Sequence, residues 1–331
     1  MTTRILITGG AGFIGFHLAK RLASTGYDIC LVDNLARGIR DADFAELLSN
    51  ARVSLVEADL LNYDDTVALG ADFEAIFHLA AIIGVQHVLN RPYDVLAHNT
   101  RMLDNVIALA QRQTACSRLF FASTSEIYAG TLKHFDLTVP TPEHTPLALT
   151  ALELPRTSYM LSKIMGEAMV QHSGLPFTIF RPHNIYGPRM GMAHVIPEQL
   201  KKAFDTAPGD SISVYSPDHK RTFCYVKDAI EMLQRMLTSE SCEGETLNLG
   251  TQAPEVTIRE VAQTCVDVSG KALLLEELPP TPGSPLRRAP DMRKTAQLLN
   301  FQSQISLRSG IEKTWHWYRD KIFQPGGLTA Q

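Results

Sequence analysis

The sequence predicts an α/β fold in which a doubly wound parallel sheet carries helices on both faces. Three observations support this class: short apolar runs without polar alternation, helical patterns between them, and a glycine-rich turn directly after the first run. Such runs are typical of parallel strands that are buried on both faces. The predicted strands span residues 4–8, 28–33, 54–57, 75–78, 119–122 and 177–181, and the predicted helices span residues 12–24, 95–113 and 158–172.

The second half of the chain predicts a smaller, discontinuous α/β domain. Five prolines interrupt the pattern between positions 182 and 217. A helical pattern over residues 221–237 and an apolar run over residues 245–249 indicate a return to the first domain. The predicted domains are residues 1–180 plus about 221–250 and residues about 181–220 plus 251–324, and residues 325–331 are expected to form a flexible tail.

Composition and charge disfavour several functional classes. The net charge of −4 gives no reason to expect nucleic acid or an anionic membrane as a partner. No apolar run approaches the ~18 residues of a membrane span, and the first residues lack a signal-peptide core. Five cysteines without close spacing indicate a reducing compartment and no zinc site. We therefore expect a cytoplasmic protein without a bound metal.

Four glycines lie in the turn between the first predicted strand and the first predicted helix. Gly10, Gly12 and Gly15 satisfy the spacing G-x-G-x-x-G, and Gly9 begins the overlapping spacing G-x-x-G-x-x-G. Residues without a Cβ allow backbone N–H groups at a helix N-terminus to approach a pyrophosphate. This context predicts a Rossmann-type dinucleotide site, whereas the same turn in isolation would equally suit a plain tight turn.

An acidic residue predicts which dinucleotide binds. Asp33 ends the second predicted strand, where a carboxylate accepts hydrogen bonds from the adenine ribose and repels a 2′-phosphate. We therefore expect NAD as the cofactor. Arg37 keeps NADP as an alternative, because a nearby arginine can accommodate that phosphate.

The candidate catalytic residues follow the fifth strand and lie in a later helix. Tyr159 and Lys163 are four residues apart on one helix face, where the ammonium is expected to lower the phenol pKa from its usual value of about 10. Thr124 and Glu126 lie just beyond the predicted strand at residues 119–122. By the two-residue period of an extended segment, both face the same side. The alternative interpretations are an ordinary amphipathic helix for Tyr159 and Lys163 and a capping cluster for the residues after the strand.

Together these elements resemble the extended short-chain dehydrogenases/reductases of the nucleotide-sugar epimerase/dehydratase family. The similarity covers nearly the whole chain, and its motifs occur in the order that is typical of the family. The matching elements are residues 8–15, Asp33, residues 59–60, residues 78–81, Asn99, residues 123–128, Tyr159 with Lys163, and residues 181–188, 221–228, 247–250 and 287–291.

The resemblance implies binding roles for individual residues. A nucleotide-diphosphate sugar is the implied substrate, with Asn184 on the sugar, Val195 near the base, and Arg221 and Arg288 on the diphosphate. The residues implied to contact NAD are Gly9, Gly12, Phe13, Ile14, Gly15, Asp33, Asn34, Asp59, Leu60, Leu79, Ala80, Ala81 and Asn99, together with Tyr159 and Lys163.

The resemblance also implies a homodimer. In related enzymes the helices that match residues 99–113 and 159–172 form a two-fold, four-helix interface. Five apolar side chains at helical spacing are candidates for this interface, although such a stripe equally suits a core. They are Met102, Val106, Leu109, Met165 and Met169.

The family mechanism passes through a 4-keto sugar. Tyr159 takes the proton of a sugar 4-hydroxyl that Thr124 holds, Lys163 orients the tyrosine, and the C4 hydride is lent to NAD and returned. Glu126 in Thr-Ser-Glu resembles dehydratases and decarboxylases, whereas residues 81–92 resemble the matching loop of uronic-acid 4-epimerases. The balance favours a 4-epimerase acting on a UDP-sugar or UDP-uronic acid, with a dehydratase or decarboxylase using Glu126 as the alternative. A non-enzymatic NAD-binding scaffold is disfavoured because Thr124, Tyr159 and Lys163 are intact.

Overall fold

The computed structural model describes residues 3–281 and 284–324, so the predicted tail at residues 325–331 lies outside the described residues. Two short 3₁₀ helices within these ranges span Ser125–Tyr128 and Glu240–Cys242. The strands, in chain order, are β1 (Arg4–Thr8), β2 (Asp28–Asp33), β3 (Val53–Glu57), β4 (Ala75–His78), β5 (Arg118–Ala122), β6 (Phe177–Pro182), β7 (Ile185–Tyr186), β8 (Ser211–Tyr215), β9 (Lys220–Arg221), β10 (Cys224–Tyr225), β11 (Glu245–Leu249), β12 (Val256–Thr257), β13 (Leu274–Leu278) and β14 (Arg287–Arg288). The helices are α1 (Phe13–Ser24), α2 (Ala42–Leu48), α3 (Tyr63–Val67), α4 (Val85–Asn90), α5 (Pro92–Gln111), α6 (Ala129–His134), α7 (Pro155–Gln171), α8 (Val195–Asp205), α9 (Val226–Thr238), α10 (Ile258–Ser269), α11 (Arg293–Leu299) and α12 (Leu307–Lys321).

A seven-stranded parallel sheet forms the centre of the molecule. Its strand order is β11-β6-β5-β4-β1-β2-β3, and neighbouring strands are parallel. The order reverses between β1 and β4, and ligands of such sheets bind at the carboxyl ends of the strands beside this reversal. The predicted fold class is confirmed, and the six predicted strands of the first half agree with the structure to within one residue at either end.

Three helices begin three or more residues away from the predicted position. Helices α5 and α7 begin three residues earlier than predicted, because Pro92 and Pro155 occupy their first positions. Proline suits this position, since the missing N–H would have no partner within the helix. The helix predicted from residue 221 begins at Val226, and the residues before it form the short strands β9 and β10.

Both faces of the sheet are buried, as the continuous apolar runs predicted. Ile5 and Ile7 face one side, where they join the core that includes residues of α1 and α9. Leu6 faces the other side, where α5 covers the sheet. Met102, Val106 and Leu109 are buried in this second core. These three side chains therefore pack inside the molecule and are not exposed at an interface. Successive side chains of a strand point to opposite faces, which explains the division.

Smaller sheets and helices follow β6. Strands β8 and β13 pair in parallel, and Ala203, Ile212, Val266 and Leu273 form a small core between them and helices α8 and α10. Strand β9 lies between β12 and β14 in a three-stranded sheet. The division into two domains at the boundaries given above stays a prediction.

The described residues, 3–281 and 284–324, carry no candidate membrane span and no candidate metal centre. No helix among them is long and apolar enough to cross a bilayer. No group of three or more His, Cys, Asp or Glu side chains in the same residues is arranged to hold a metal ion. All five cysteines are free, and four of them are buried.

A buried ion pair ties the loop after β2 to the segment before α8. The guanidinium of Arg189 pairs with the carboxylate of Asp41, and their side chains are only 2% and 3% exposed. Asp41 also accepts a hydrogen bond from the Phe44 N–H at 2.8 Å and so caps α2. Arg189 donates a second hydrogen bond to the Ile39 carbonyl at 3.1 Å.

Replacing Asp41 by asparagine tests how much this ion pair contributes to the free energy of unfolding. The new amide oxygen would still cap α2, but the Arg189 charge would stay buried without a counter-charge, which typically costs on the order of 3–5 kcal/mol. We expect a loss of this size in the free energy of unfolding measured by urea titration. Glu57→Gln is the control, because Glu57 and its partner Arg40 are both 58% exposed and such pairs contribute at most about 1 kcal/mol. Equal losses in the two variants would contradict this assignment.

Candidate active site

The glycine-rich turn has the close packing that a pyrophosphate site requires. A Cβ at Gly9, whose φ is +69°, would lie 2.9 Å from the Ala80 nitrogen, and a Cβ at Gly15 would lie 2.3 Å from the Gly9 carbonyl oxygen. Gly12 is the N-cap of α1, and no side chain caps this helix start. Phe13 and Ile14 form the first turn and are half-buried against the core. The N–H groups at the start of α1 therefore remain available to a phosphate.

The carboxylate of Asp33 lies directly beside this turn. Its two oxygens accept hydrogen bonds from the Ala11 N–H at 3.0 Å and the Leu35 N–H at 2.8 Å. Asn34 is exposed next to it. Asp59 accepts a hydrogen bond from the Leu61 N–H at 3.0 Å after β3, and Leu60 is buried. The adenosine-contacting residues predicted from sequence thus follow β2 and β3, on one side of the reversal in strand order.

The loop after β4 borders the turn on its other side. Thr8 holds the start of this loop, because its hydroxyl accepts hydrogen bonds from the N–H groups of Leu79 and Ala80 at 3.2 Å. Ala81 follows them and is half-buried. Asn99 on α5 accepts a hydrogen bond from the Ile82 N–H at 2.7 Å and donates one to the Ile82 carbonyl at 3.1 Å. Asn99 therefore contacts the loop itself, and its role toward NAD stays a prediction.

These residues fit NAD. Glycines that cannot accommodate a Cβ, an uncapped helix start and the Asp33 carboxylate lie together at the carboxyl edge of the sheet. An acid at this position favours NAD over NADP. Bound NAD supplies an acceptor for a hydride from the substrate.

Tyr159, Lys163 and Thr124 meet beyond the end of β5. Lys163 is buried, and its ammonium donates a hydrogen bond to the Ala122 carbonyl at 2.7 Å. Tyr159 is half-buried one turn earlier on α7, and the Thr124 hydroxyl is close enough to lower the pKa of its phenol. The predicted catalytic triplet is therefore brought together by α7 and by the loop after β5.

The expectation that Lys163 lowers the phenol pKa is not met in this structure. Burial raises the pKa of Tyr159 to about 12, and the nearby Thr124 hydroxyl offsets this only in part. The nearby charge of Glu126 raises it further, whereas Arg37 lowers it. The physical reason is that the Lys163 ammonium is directed to the Ala122 carbonyl, while the phenol loses its hydration.

Glu126 reaches the site by a different backbone geometry from the one predicted. Residues Ser125–Tyr128 form a 3₁₀ helix rather than an extended segment, and Thr124 is its N-cap, accepting a hydrogen bond from the Glu126 N–H at 3.2 Å. The Glu126 carboxylate pairs with the Arg288 guanidinium at 2.5 Å. Burial is the largest single influence and alone would raise the pKa of Glu126. The charge and hydrogen bond of Arg288, together with the charges of Arg156 and Arg221, outweigh it and hold this pKa below its usual value. Glu126 is therefore an ionised carboxylate at neutral pH.

The substrate-side arginines are brought together by strand pairing. Arg221 and Arg288 are register partners in the parallel strands β9 and β14. Burial and the neighbouring charge of Arg288 lower the pKa of Arg221 to about 10. Asn184 follows β6 and donates a hydrogen bond to the Thr222 carbonyl at 2.9 Å, whereas Val195 begins α8 and is half-buried. Their predicted contacts with a nucleotide sugar stay predictions.

A buried network beneath the site was missed by the sequence analysis. Glu167 accepts hydrogen bonds from Arg181 at 2.9 and 2.6 Å and from the Ser123 hydroxyl at 2.5 Å. Arg181 also donates to the Tyr128 hydroxyl at 2.7 Å. The available signal was spacing, because Glu167 follows Lys163 by four residues and so lies on the same face of α7.

The fold and this site define a Rossmann-type enzyme with the Tyr, Lys and Thr constellation of the short-chain dehydrogenases/reductases. A family model described as the NAD dependent epimerase/dehydratase family matches residues 5–250. The chain belongs to this family, and the resemblance inferred from the sequence is confirmed.

Two relatives and one solved structure show how the chain compares with known proteins. It is 32% identical to a UDP-N-acetyl-alpha-D-glucosaminuronate decarboxylase of Bacillus cytotoxicus, over 97% of this chain and 99% of that protein. It is 30% identical to UDP-glucuronic acid decarboxylase 1 of Xenopus tropicalis, over 96% of this chain and 73% of that protein. The structure of a UDP-glucose 4-epimerase of Thermotoga maritima, determined with UDP-glucose, has a TM-score of 0.79 at 25% identity and covers 96% of this chain and 99% of its own.

The environment of Lys163 predicts an unusual titration. Burial lowers its pKa from 10.5 to about 8, although the Glu167 carboxylate acts to raise it. We therefore expect the cofactor-free protein to lose the Lys163 proton near pH 8, as measured by ¹³C NMR of the lysine ε-carbons and assigned with Lys163→Arg. Glu167→Gln should lower the midpoint further, because it removes the counter-charge. Titration close to 10.5 in the unmodified protein would refute this assignment.

The same shift predicts how stability depends on pH. Between about 8 and 10.5 the unfolded chain binds the Lys163 proton more tightly than the folded protein does. The contribution of Lys163 to the free energy of unfolding therefore becomes more favourable as the pH rises through this range.

Proposed function

We propose that this protein is an NAD-dependent decarboxylase of a UDP-linked uronic acid. The observation that carries the proposal is the ion pair between Glu126 and Arg288, which lies beside the Thr124 and Tyr159 pair. A plain epimerase needs the hydroxyl-handling residues but no carboxylate and guanidinium beside them. The two similar decarboxylases, which match nearly the full length of this chain, support the same conclusion.

The first step is oxidation of the sugar at C4. Thr124 and Tyr159 hold the 4-hydroxyl, and Tyr159 accepts its proton as the C4 hydride leaves. Lys163 is the nearby cation that favours the phenolate over the phenol once the site is assembled. The product of this step is a 4-keto uronic acid, in which the C6 carboxylate is β to the new ketone.

The second step is loss of carbon dioxide. The bond between C5 and C6 breaks, its electron pair moves into the C4–C5 bond, and the C4 oxygen becomes an enolate that the Thr124 and Tyr159 hydroxyls stabilise. A proton from solvent then adds to C5, which restores the ketone. The hydride returns to C4 and Tyr159 returns its proton to the C4 oxygen, which leaves a UDP-pentose. The resemblance assigned Arg288 to the diphosphate, and we propose instead that it binds the sugar carboxylate. Its Nε has no hydrogen-bond partner among residues 3–281 and 284–324 and can donate to such an anion.

Dehydration is less well supported by these groups. Elimination of a C6 hydroxyl requires a base at C5 and an acid that protonates the leaving oxygen. Glu126 is ionised and could supply the base, but its neighbour Ser125 is a poor acid. Decarboxylation requires neither group, which is why we prefer it.

A 4-epimerase, which the sequence analysis favoured, is the second candidate. The resemblance of residues 81–92 to the loop of uronic-acid 4-epimerases supports it, as does the similarity to the Thermotoga maritima UDP-glucose 4-epimerase. Both candidates share the C4 oxidation, so only the fate of the ketone separates them.

Product mass separates the candidates directly. We expect UDP-glucuronic acid or UDP-N-acetylglucosaminuronic acid to yield a product lighter by one carbon dioxide, measured by mass spectrometry after incubation with NAD. UDP-glucose, which has no carboxylate to lose, should not be converted. An isomer of unchanged mass would instead establish the epimerase, and loss of water from UDP-glucose would establish a dehydratase.

Glu126→Gln tests the carboxylate at constant size. We expect release of carbon dioxide at low substrate concentration to slow about tenfold, because Glu126 positions Arg288 for substrate binding and takes no part in breaking the C5–C6 bond. Transient NADH should still form, because Tyr159 and Lys163 are intact. Tyr159→Phe should abolish both signals. Glu312→Gln on α12 is the matched control, because Glu312 forms an exposed pair with Arg308. An unchanged rate for Glu126→Gln would refute a role for this carboxylate.

We also propose that the protein is a homodimer through the exposed faces of α5 and α7. The stripe predicted from sequence is mostly core, but Met165 is 39% exposed and Tyr93 is 78% exposed on these two helices. Exposed large apolar side chains on these two helices offer apolar surface that a second copy of the chain could cover. A reducing compartment such as the cytoplasm remains our proposal for its location, consistent with five free cysteines.

Met165→Glu tests the dimer. We expect wild-type protein at micromolar concentration to have the mass of a dimer in light scattering and the variant to shift toward the monomer, because the carboxylate would be buried in the interface. Met165→Leu is the control that keeps the apolar surface. Monomeric wild-type protein would rule out the dimer.

A further inference from the structure

Arg37 crosses the cofactor cleft. It lies four residues beyond Asp33 in the loop after β2, and its Nη1 donates a hydrogen bond to the Ile83 carbonyl at 2.9 Å. Ile83 belongs to the loop after β4. Strand β1 lies between β2 and β4 in the sheet, and the glycine-rich turn follows β1. A side chain that joins the two outer loops therefore passes over the turn, where a pyrophosphate would lie.

The guanidinium of Arg37 has no anionic partner of its own. Within residues 3–281 and 284–324, its hydrogen bond goes to a neutral carbonyl, and Tyr159 is the one titratable group that raises its pKa. Arg37 is exposed in this structure, but partial loss of hydration still lowers its pKa below the usual value, because no carboxylate offsets it. Most other arginines near the site, including Arg181, Arg189 and Arg288, are each paired with a carboxylate.

The guanidinium lies toward the catalytic side of the cleft rather than the adenine side. Burial is the main influence on the pKa of both Tyr159 and His194, and the Arg37 charge acts on each of them. Gly84, in the loop after β4, is also near: a Cβ there would lie 3.8 Å from Arg37 Nη2. The side chain thus extends away from Asp33, where a 2′-phosphate of NADP would be bound.

We propose that Arg37 binds the diphosphate of NAD and closes the cleft over it. The diphosphate carries two negative charges, and a guanidinium donates two parallel hydrogen bonds to such an anion. The N–H groups of α1 would bind the diphosphate from below, and Arg37 would bind it from above. Retention of the cofactor suits an enzyme that returns the hydride to the same substrate molecule. The proposal depends on NAD binding and not on the decarboxylation proposed above.

The test is NAD binding to the cofactor-free protein, measured by isothermal titration calorimetry without any sugar substrate. We expect Arg37→Ala to raise the Kd for NAD about tenfold to a hundredfold, the range for a charge-assisted hydrogen bond. Arg37→Lys should recover part of the lost NAD affinity, because lysine restores the positive charge but not the paired hydrogen bonds of a guanidinium. Arg40→Ala is the matched control, since Arg40 lies in the same loop and is likewise exposed but is paired with Glu57.

Two further ligands identify the part of the cofactor that Arg37 contacts. ADP-ribose keeps the diphosphate and should lose the same factor as NAD, whereas adenosine should be unaffected. The Kd for NAD should also rise more steeply with potassium chloride in the wild type than in Arg37→Ala. Unchanged NAD and ADP-ribose affinities, or a loss confined to NADP, would overturn the proposal. An equal loss for adenosine would also overturn it, because the change would then act on the fold.

Discussion

The buried ion pair between Glu167 and Arg181 is the interaction on which the catalytic site depends. Their side chains are 6% and 5% exposed, and two hydrogen bonds join them. Glu167 is on the helix that carries Tyr159 and Lys163, and Arg181 is on β6. The same carboxylate accepts a hydrogen bond from Ser123, next to Thr124. One ion pair therefore sets the distance between the helix and the strand ends that supply the catalytic groups.

Removing one partner of such a pair typically costs about 3–5 kcal/mol, because the remaining charge stays buried without compensation. Because separating the two charges is costly, both side chains stay in this arrangement. Glu167 also provides the negative charge that partly offsets the burial of the Lys163 ammonium. The arrangement buries the Lys163 ammonium one helical turn from the half-buried Tyr159.

The pair between Glu126 and Arg288 has the opposite character. Its side chains are 47% and 23% exposed, and its two residues lie on a 3₁₀ helix and on a strand of a separate small sheet. Water and ligands compete with a pair of this exposure, so its partners can exchange when an anionic substrate arrives. In the function proposed above, the fixed pair below the site positions the catalytic groups, and the exchangeable pair at its edge admits the substrate.

The sequence by itself determined the elements whose physics is local. Continuous apolar runs, glycine spacing and the four-residue period of α7 predicted the sheet, the dinucleotide turn and the pair of Tyr159 and Lys163, because hydrophobic periodicity and steric demands act between neighbouring residues. Only the tertiary structure decided which polar groups from distant segments meet. Glu126 and Arg288 are 162 positions apart, and Arg37 and Ile83 are 46 apart. The direction of the Tyr159 pKa shift also depended on burial and on charges from distant segments, which no local pattern encodes.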